Sequence, residues 1–509
     1  MRSKKAIINI ITSLALQLVT VICGFIVPRL IIGTFGSSVN GLITSITQFL
    51  AYITLLESGF GPVVKSILYK PIANKDKNEI ERILKAAEKF FRTISYIFII
   101  YIIILCFVLP MVVSKEFNNL FTLSLVIIIS ISTFAEYFFG MTYKLYLQAQ
   151  QKAYVTSVIQ IGTTILNTIS IVLLIYFGAN IQIVKLFSAL IFVFRPILQN
   201  VYVKKKYNIS LKNVGNDYKI KQKWDGLAQH VAAVVHNNTD VAIITIFLNM
   251  KEVSVYAIYN LIVTGIKKII EAFTSGIDAM FGDMLAKGEK EHLNKSFKIY
   301  EFFYFAIITI IFSITLISII PFVKVYTNGI TDVDYIRPAF AYLIVLAEFV
   351  CMIRLPYIKV TYSAGHFKET RKGAWVEAIS NIVISLLLVW KLGIIGVAIG
   401  TLVAMFIRTI EFMYHSSKYI LERSVTYTFK RLFIIAIEVI IVVIVSNLIP
   451  SITITNYITW AMQAIIIAVI ASIVVVTINC VIYKEDIKGI LNIIKRIVKK
   501  EGKSNEEHI

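Results

Sequence analysis

Blocks of about twenty apolar residues recur along this chain, and they constrain its fold more than any other feature. A helix rises about 1.5 Å per residue, so one such block crosses a bilayer core of about 30 Å. Only helices and closed β-barrels satisfy their backbone hydrogen bonds inside lipid. Barrel strands alternate polar and apolar residues over about ten positions, a pattern that is absent here. The sequence therefore predicts an all-α integral membrane protein.

The composition agrees with this prediction. The chain is 57% hydrophobic and 16% charged, with a mean hydropathy of +0.78, whereas soluble proteins are about 45–50% apolar and about 25% charged. The first span follows "MRSKK" and is longer than the apolar core of about 7–15 residues in a cleaved signal peptide, so we expect it to be retained. Cys23, Cys106, Cys351 and Cys480 show no metal or redox spacing and are interpreted as packing residues.

The distribution of Lys and Arg predicts the topology. Alternate loops and both chain ends are rich in these residues, whereas the opposing loops hold few, such as Lys115, Lys251 and Lys324. By the positive-inside rule, both termini of this multi-pass membrane protein are expected to be cytoplasmic. The fourteen predicted spans lie near 7–32, 39–64, 90–113, 119–147, 153–177, 179–202, 224–249, 253–283, 299–322, 337–362, 368–390, 392–415, 428–449 and 456–482.

A net charge of +21 invites a nucleic-acid interpretation, but its placement argues against one. The basic loops fit a topology signal and contact with anionic lipid headgroups. The tail has amphipathic spacing and is expected to lie along the inner surface. The loops are too short to form an extracellular or cytoplasmic domain.

The chain also repeats weakly at an offset of about 215 residues. The segment from Ser37 has a counterpart from Val253, Ala149 matches Ala364, and Asn167 falls opposite Asn381 within one residue. Repeats of this kind are typical of transporters that bind substrate between two halves. We predict two pseudo-symmetric six-helix lobes around a central cavity, plus two C-terminal helices. The expected divisions are an N-lobe at 1–202, a basic cytoplasmic linker at 203–223, a C-lobe at 224–418, helices 13 and 14 at 419–483, and a basic amphipathic tail at 484–509.

Three motifs, in this order, carry a resemblance to a known family: "VPRLIIGTFGSSVNGL" (27–42), "NNTDVAIITIFLNMKEVSVYAIY" (237–259) and "LGIIGVAIGTLVAMFIR" (392–408). With the helix count, they resemble the multidrug/oligosaccharidyl-lipid/polysaccharide (MOP) exporter superfamily, and within it the Wzx-like polysaccharide flippases. Asn40 stands where that family usually has a Tyr. The resemblance implies a flippase that moves an undecaprenyl-diphosphate-linked oligosaccharide repeat unit from the cytoplasmic to the outer face, for surface polysaccharide biosynthesis, by alternating access.

Two other functions are weighed against the flippase. A multidrug exporter of the same superfamily is expected to favour acids, because many drugs are cations, whereas this chain has several central Lys and Arg residues. A membrane polysaccharide polymerase or ligase usually needs a sizeable outside loop for its catalytic residues, and the short outside loops of this chain argue against that function. No Walker loop and no zinc-helix spacing is present in the sequence, so no enzyme, resident metal or cofactor is predicted.

Ionisable residues inside the spans are the main functional signal, because each costs about 2.5–3.5 kcal/mol at the centre of a bilayer. Gln229, His236 and Asp240 share one helix face, which explains the polar run "HNNTD" at 236–240 as the wall of a cavity. Two further stripes are predicted to line it. They comprise Thr264, Lys268, Glu271, Ser275 and Asp278 in span eight, and Thr401, Ala404, Arg408, Glu411 and His415 in span twelve.

Nine residues are candidates for the site. The predicted substrate-binding residues are Arg29, Arg195, His236, Lys267, Lys268 and Arg354, whose cations pair with phosphate. The predicted ion-coupling residues are Glu57, Asp240 and Glu377, with H⁺ or Na⁺ as the ion; a voltage-driven or uncoupled mechanism remains an alternative.

A purely structural role stays open for several of these polar and charged residues. Lys268 and Glu271 could form a structural pair, Arg29 could extend to the interface, His236 could be a plain hydrogen-bonding residue, and Arg408 could lie at a solvated helix end. The expected partners are the lipid-linked oligosaccharide and membrane lipids, with a polysaccharide polymerase as a candidate protein partner and no nucleic acid. The protein is expected to be a monomer.

Overall fold

A computed structural model of the chain describes residues 2–57, 59–211, 214–215, 218, 220, 227–274, 276–448 and 452–484. No strand occurs in these ranges. The helices are α1 Arg2–Phe35, α2 Ser37–Ala51, α3 Phe60–Asn74, α4 Lys77–Val112, α5 Asn119–Ala135, α6 Met141–Ala149, α7 Ala153–Tyr176, α8 Ile181–Tyr207, α9 Leu227–Phe247, α10 Met250–Phe273, α11 Ile277–Ala286, α12 Lys290–Tyr326, α13 Pro338–Ile353, α14 Leu355–Ser363, α15 Arg371–Leu392, α16 Ile394–Tyr419, α17 Val425–Leu448 and α18 Tyr457–Ile482.

The helices confirm the predicted membrane fold. Within the described residues, 13 helical segments are long and apolar enough to cross a membrane, and each coincides with a predicted span. The remaining prediction, span seven, falls on α9, whose apolar sequence is interrupted by the polar run from His236 to Asp240. The predicted amphipathic tail falls almost entirely on 485–509, outside the described residues.

The basic segment between spans two and three is helical, and its prediction as a loop is wrong. The helix α4 begins at Lys77 and is 36 residues long, well beyond the span predicted from residue 90. Asp76 caps this helix, since its carboxylate accepts a hydrogen bond from the backbone N–H of Glu79 at 3.0 Å. Charged residues at its start are therefore compatible with a helix that extends past the apolar span.

Span eight is broken, so the prediction of one continuous helix over 253–283 is wrong. The helix α10 ends at Phe273 and α11 begins at Ile277, after Gly276 in a left-handed conformation with φ 96°. An L side chain rarely adopts that conformation, and glycine adopts it freely. Lys268 and Asp278 consequently lie on different helices, and the predicted stripe is not continuous. The motif "GFGP" at 59–62 predicts a bend in span two. The structure confirms this bend, since a 3₁₀ segment, Tyr52–Glu57, precedes Gly59 at φ 75°.

Left-handed backbone positions reveal the internal repeat. Twelve described residues have positive φ, and ten of them form pairs separated by 213 to 217 positions. The repeated helices have similar lengths as well: α4 and α12 have 36 and 37 residues, and α8 and α16 have 27 and 26. The five pairs are Gly59 with Gly276, Lys75 with Gly288, Gln151 with Gly365, Gly178 with Gly393, and Asn208 with Glu422.

Two compact units divide the chain. The first comprises residues 1–274, 327–335 and 367–404, and the second comprises 275–326, 336–366 and 405–509. In the first unit α2 packs against α10 with almost no space between them, since a Cβ on Gly41 would lie 1.8 Å from the carbonyl oxygen of Met250. The predicted division into an N-lobe and a C-lobe stays a prediction.

Candidate functional site

A cavity of about 560 Å³ lies within the first unit, between α1, α7, α8 and α10. We call it the cation cavity. Its volume falls within the range of about 300–1,000 Å³ that is common for small-molecule sites. Its lining is Leu16, Gln17, Thr20, Cys23, Gly24, Val27, Pro28, Gln160, Thr164, Asn167, Thr168, Ile171, Lys185, Ser188, Phe192, Arg195 and Lys268.

Arg195 is fixed in the cation cavity by neutral groups. Its Nε donates to Thr163 Oγ1 at 2.7 Å and its Nη2 donates to Thr164 Oγ1 at 2.8 Å. Its guanidinium carbon lies 4.0 Å from the centre of the Phe192 ring, a cation–π arrangement that holds the group flat. Hydroxyls and a ring therefore orient the guanidinium toward a fixed position in the cation cavity.

Two lysines complete the positive lining. Lys185 lies ten residues before Arg195 on α8, a separation of about 15 Å along the helix axis. Lys268 is exposed on α10 and forms no ion pair with Glu271 or with any other residue that the structure describes. No aspartate or glutamate belongs to the lining, as far as the chain is described. The cavity is thus a site of net positive charge.

The same cavity carries polar atoms that have no partner in the protein. Asn167 Oδ1 and Ser188 Oγ are buried, and neither has a hydrogen-bond partner within the described part of the chain. A buried polar atom without a partner costs about 1–3 kcal/mol, so a ligand or water is expected to satisfy both. Gln17 and Gln160 supply further amide groups. Cations, amides and hydroxyls together suit a ligand that contains both phosphate and sugar.

Of the six predicted substrate-binding residues, the cation cavity includes Arg195 and Lys268. Lys267 is half-buried beside Lys268, and His236 is half-buried on α9. Arg354 lies in the second unit, at the junction of α13 and α14, where its Nη2 is 3.5 Å from Cys351 Sγ. The role of these three residues stays a prediction. Lys185, Asn167 and Ser188 were missed as site residues; the internal match between Asn167 and Asn381 was the available signal.

Arg29 contacts a loop of the first unit instead of the cation cavity. Its Nη2 donates to the carbonyl oxygen of Asn328 at 2.7 Å. The same loop, residues 327–335, is anchored to the start of α2, where Asp332 accepts hydrogen bonds from the backbone N–H and the hydroxyl of Ser37, both at 2.7 Å. Burial raises the pKa of Tyr335, which stays protonated and donates to Ser37 Oγ at 2.7 Å. The role of Arg29 in substrate binding stays a prediction.

A separate acidic cluster surrounds Asp240 in the first unit. Asp240 Oδ2 accepts hydrogen bonds from Thr401 Oγ1 at 2.8 Å and from Tyr256 Oη at 2.9 Å. Asn381 Nδ2 donates to Thr401 Oγ1 at 2.9 Å. Glu377 is buried one turn before Asn381 on α15. Carboxylate, hydroxyl and amide oxygens are the groups that hard cations bind, so the cluster can take a proton or a small cation.

The third predicted coupling residue, Glu57, lies at the break in span two. Its Oε2 accepts a hydrogen bond from Tyr137 Oη at 3.4 Å. The neighbouring π-helical turn, Glu136–Gly140, is held by an ion pair of 3.2 Å between Glu136 and Lys144. His230 reaches the same break, since its Nε2 lies 2.8 Å from the carbonyl oxygen of Thr54. Glu57 therefore lies among titratable groups, and its role in coupling stays a prediction.

Cations of the second unit contrast with those of the cation cavity, because acids neutralise several of them. Lys359 Nζ lies 2.9 Å from Asp278 Oδ2. Arg408 is buried and pairs with Glu411, so the interpretation of Arg408 as a solvated helix end is wrong.

A buried acid binds two further arginines of this unit. Glu301, fully buried on α12, pairs with Arg423 at 2.5 Å and with Arg431 at 3.4 Å. The Coulomb attraction of Glu301 raises the pKa of Arg423 against the opposing effect of burial, which is the largest single influence on this group. These ion pairs tie helices together within the second unit.

Known structures share this fold. No protein-family model matches the sequence, and no curated protein matches it. The chain is similar to the lipid II flippase MurJ in an inward closed conformation, with 16% identity and a TM-score of 0.66 over 94% of this chain and 100% of that chain. A multidrug resistance MATE family transporter of the MOP superfamily shows 13% identity and a TM-score of 0.56 over 80% of this chain and 98% of its own. The eukaryotic MATE transporter AtDTX14 shows 11% identity and a TM-score of 0.55 over 81% and 94%.

At these identities the similarity shows the fold alone. The chain has the fold of MurJ and the MATE transporters, which confirms the predicted fold class.

Proposed function

We propose that the protein is a flippase for an undecaprenyl-diphosphate-linked oligosaccharide repeat unit, in the manner of the Wzx-like group. It moves the repeat unit from the cytoplasmic to the outer face of the plasma membrane by alternating access, with both termini in the cytoplasm. The observation that carries the proposal is the cation cavity: Lys185, Arg195 and Lys268 line it, and no described acid does. A diphosphate is the substrate group that such a cavity binds best.

The polar neutral lining supports the oligosaccharide part of the substrate. Asn167 Oδ1 and Ser188 Oγ offer acceptors to sugar hydroxyls, and Gln17 and Gln160 offer both donors and acceptors. A cationic drug gains nothing from three positive side chains, so the cavity favours the flippase over the multidrug exporter. The similarity of the fold to MATE transporters keeps the exporter as the second candidate.

Ion coupling is proposed at the cluster around Asp240. The carboxylate, its two hydroxyl donors and the nearby Glu377 form a compact acidic group inside the spans. A carboxylate inside a membrane span is costly to bury, and such residues commonly lie on ion or proton pathways. Binding of H⁺ or Na⁺ at Asp240 would couple an ion gradient to the movement of the substrate.

The test of the substrate class is direct binding of inorganic diphosphate to the purified protein in nanodiscs. Replacing Arg195 by Gln removes a charge-assisted hydrogen bond of about 1.5–3 kcal/mol, so binding is expected to weaken by about tenfold to a hundredfold. Arg195→Lys keeps the charge and should retain most of the affinity. Lys77→Gln, at the exposed start of α4, is the control and should bind as the wild type does.

Either of two results contradicts the proposal. Equal binding by wild type and Arg195→Gln would remove the cation cavity as the diphosphate site. Tight binding of organic cations at this cavity, with no binding of diphosphate, would favour the multidrug exporter.

A further inference from the structure

A second cavity of the first unit adjoins the cation cavity. It has a volume of about 340 Å³ and lies between α2, the 3₁₀ segment, α5 and α8. We call it the side chamber. Its lining is Ile43, Thr47, Leu50, Ala51, Ile53, Thr54, Ile129, Ser132, Thr133, Tyr137, Lys185, Ser188, Ala189 and Phe192.

One face of α8 borders both cavities. Lys185, Ser188 and Phe192 line the cation cavity and the side chamber alike. They are three and four positions apart, so they form a single stripe along the helix. Ser188 has the smallest side chain of the three. A ligand bound along this stripe would contact the lining of both cavities.

Apart from Lys185 and Ser188, which it shares with the cation cavity, the side chamber is mostly apolar, although several further hydroxyls line it. Thr47 Oγ1 donates to the carbonyl oxygen of Ile43 at 2.8 Å, and Thr54 Oγ1 donates to that of Ala51 at 2.8 Å. Ser132 Oγ donates to the carbonyl oxygen of Ile129 at 3.3 Å. These protons are used within their own helices, so the walls offer few donors to a sugar. Aliphatic and aromatic groups make up most of the remaining surface.

We propose that the side chamber binds the isoprene units next to the diphosphate of the substrate, while the diphosphate lies in the cation cavity against Lys185. This proposal rests on the proposed function and names where the hydrocarbon nearest the charge is held. The substrate joins an anion directly to a hydrocarbon, and the protein places a lysine directly between a cationic space and an apolar one. A hydrocarbon without a phosphate would form no ion pair with Lys185. An oligosaccharide would lose hydrogen bonds to water in the mostly apolar side chamber.

The experiment compares geranyl diphosphate with inorganic diphosphate as ligands of the full-length protein in nanodiscs. Each buried CH₂ contributes favourably, so wild type is expected to bind geranyl diphosphate at least tenfold more tightly. Ala189→Phe and Ala51→Phe each fill the side chamber from a different helix. Either variant should reduce the preference to less than threefold and leave the affinity for inorganic diphosphate unchanged. Leu190→Phe, at the neighbouring exposed position of α8, is the matched control and should keep the full preference.

The outcomes separate this proposal from the proposed function. If wild type binds both ligands equally, the side-chamber proposal fails while the flippase proposal stands. If the filled variants keep the tenfold preference, the hydrocarbon binds elsewhere or partitions into the lipid, and the proposal fails. If wild type binds neither ligand, both proposals fail. Two filling variants on different helices keep the test decisive where one of them does not fold.

Discussion

Two pairs of side chains occupy matching positions of the internal repeat but belong to sites of opposite charge. Asn167 on α7 and Ser188 on α8 line the cation cavity with Lys185 and Arg195. Asn381 on α15 and Thr401 on α16, 214 and 213 positions later, are hydrogen-bonded to each other, and Thr401 donates to Asp240. An amide and a hydroxyl at matching positions thus lie beside cations in one repeat and beside a carboxylate in the other.

The equivalent arginines of the two repeats show the same division. Arg195 and Arg408 are each the fifteenth residue of their helix, and each lies over a phenylalanine ring. Arg195 is held by two threonine hydroxyls, whereas Arg408 pairs with Glu411. Position 198, which matches Glu411, is Leu198. The acid three residues after Arg408 therefore has no counterpart three residues after Arg195.

The largest effect is expected from removing the charge that distinguishes the second-repeat site. Asp240→Asn keeps the shape of the side chain and one acceptor oxygen but removes the charge. Polymer export should fall to near background, while expression and diphosphate binding stay normal, because the cation cavity is untouched. Full export by this variant would exclude Asp240 from ion coupling and leave the two sites without a functional division.

An intermediate effect is expected when the cation cavity receives an acid. Asn167→Asp places a carboxylate where the second repeat has an amide, and repulsion of the substrate phosphate should weaken diphosphate binding by about tenfold or more. The control is the same change at the matching position, Asn381→Asp, which should leave diphosphate binding unaltered. Equal losses in both variants would show that the two positions do not belong to sites of different charge.

The smallest effect is expected for a cation that already has a partner. Asp278 is 56% exposed, so breaking its pair with Lys359 by Lys359→Met should change the free energy of unfolding by about 1 kcal/mol or less. Diphosphate binding should not change, whereas Lys185→Met in the cation cavity should weaken it. Thermal unfolding and binding measurements on the two variants check this pair of outcomes. A loss of diphosphate binding in Lys359→Met would show that paired lysines also serve the substrate.

Hydropathy and spacing predict much of this fold, because burial in lipid leaves a strong pattern in sequence. Thirteen of the predicted spans and the weak internal repeat were found from such patterns. Hydropathy does not predict where a helix ends. The helix α4, for example, begins with charged residues that precede its apolar span, and such residues are equally compatible with a loop. The break at Gly276 was missed, because an isolated glycine is tolerated inside many helices, and only the local backbone shows that it ends one.

The site was predictable in its charge but not in its membership. Arg195 and Lys268 follow from the cost of burying a cation in lipid. Lys185 is near the start of α8, where a lysine commonly extends to the interface, and no sequence pattern shows that it borders two cavities. Asn and Ser occur in many transmembrane helices, so the sequence does not single out Asn167 or Ser188. Only the packed structure shows that Asn167 Oδ1 and Ser188 Oγ have no hydrogen-bond partner among the described residues.

The paired left-handed residues show that the two repeats share the geometry of their turns. Three of the five pairs join unlike residues, as Lys75 with Gly288, Gln151 with Gly365 and Asn208 with Glu422 do. The matching turns are therefore made by different side chains in the two repeats. A changed turn redirects a whole helix, whereas a changed side chain alters one contact. The positions of the left-handed residues consequently identify the repeat more clearly than the amino-acid sequence does.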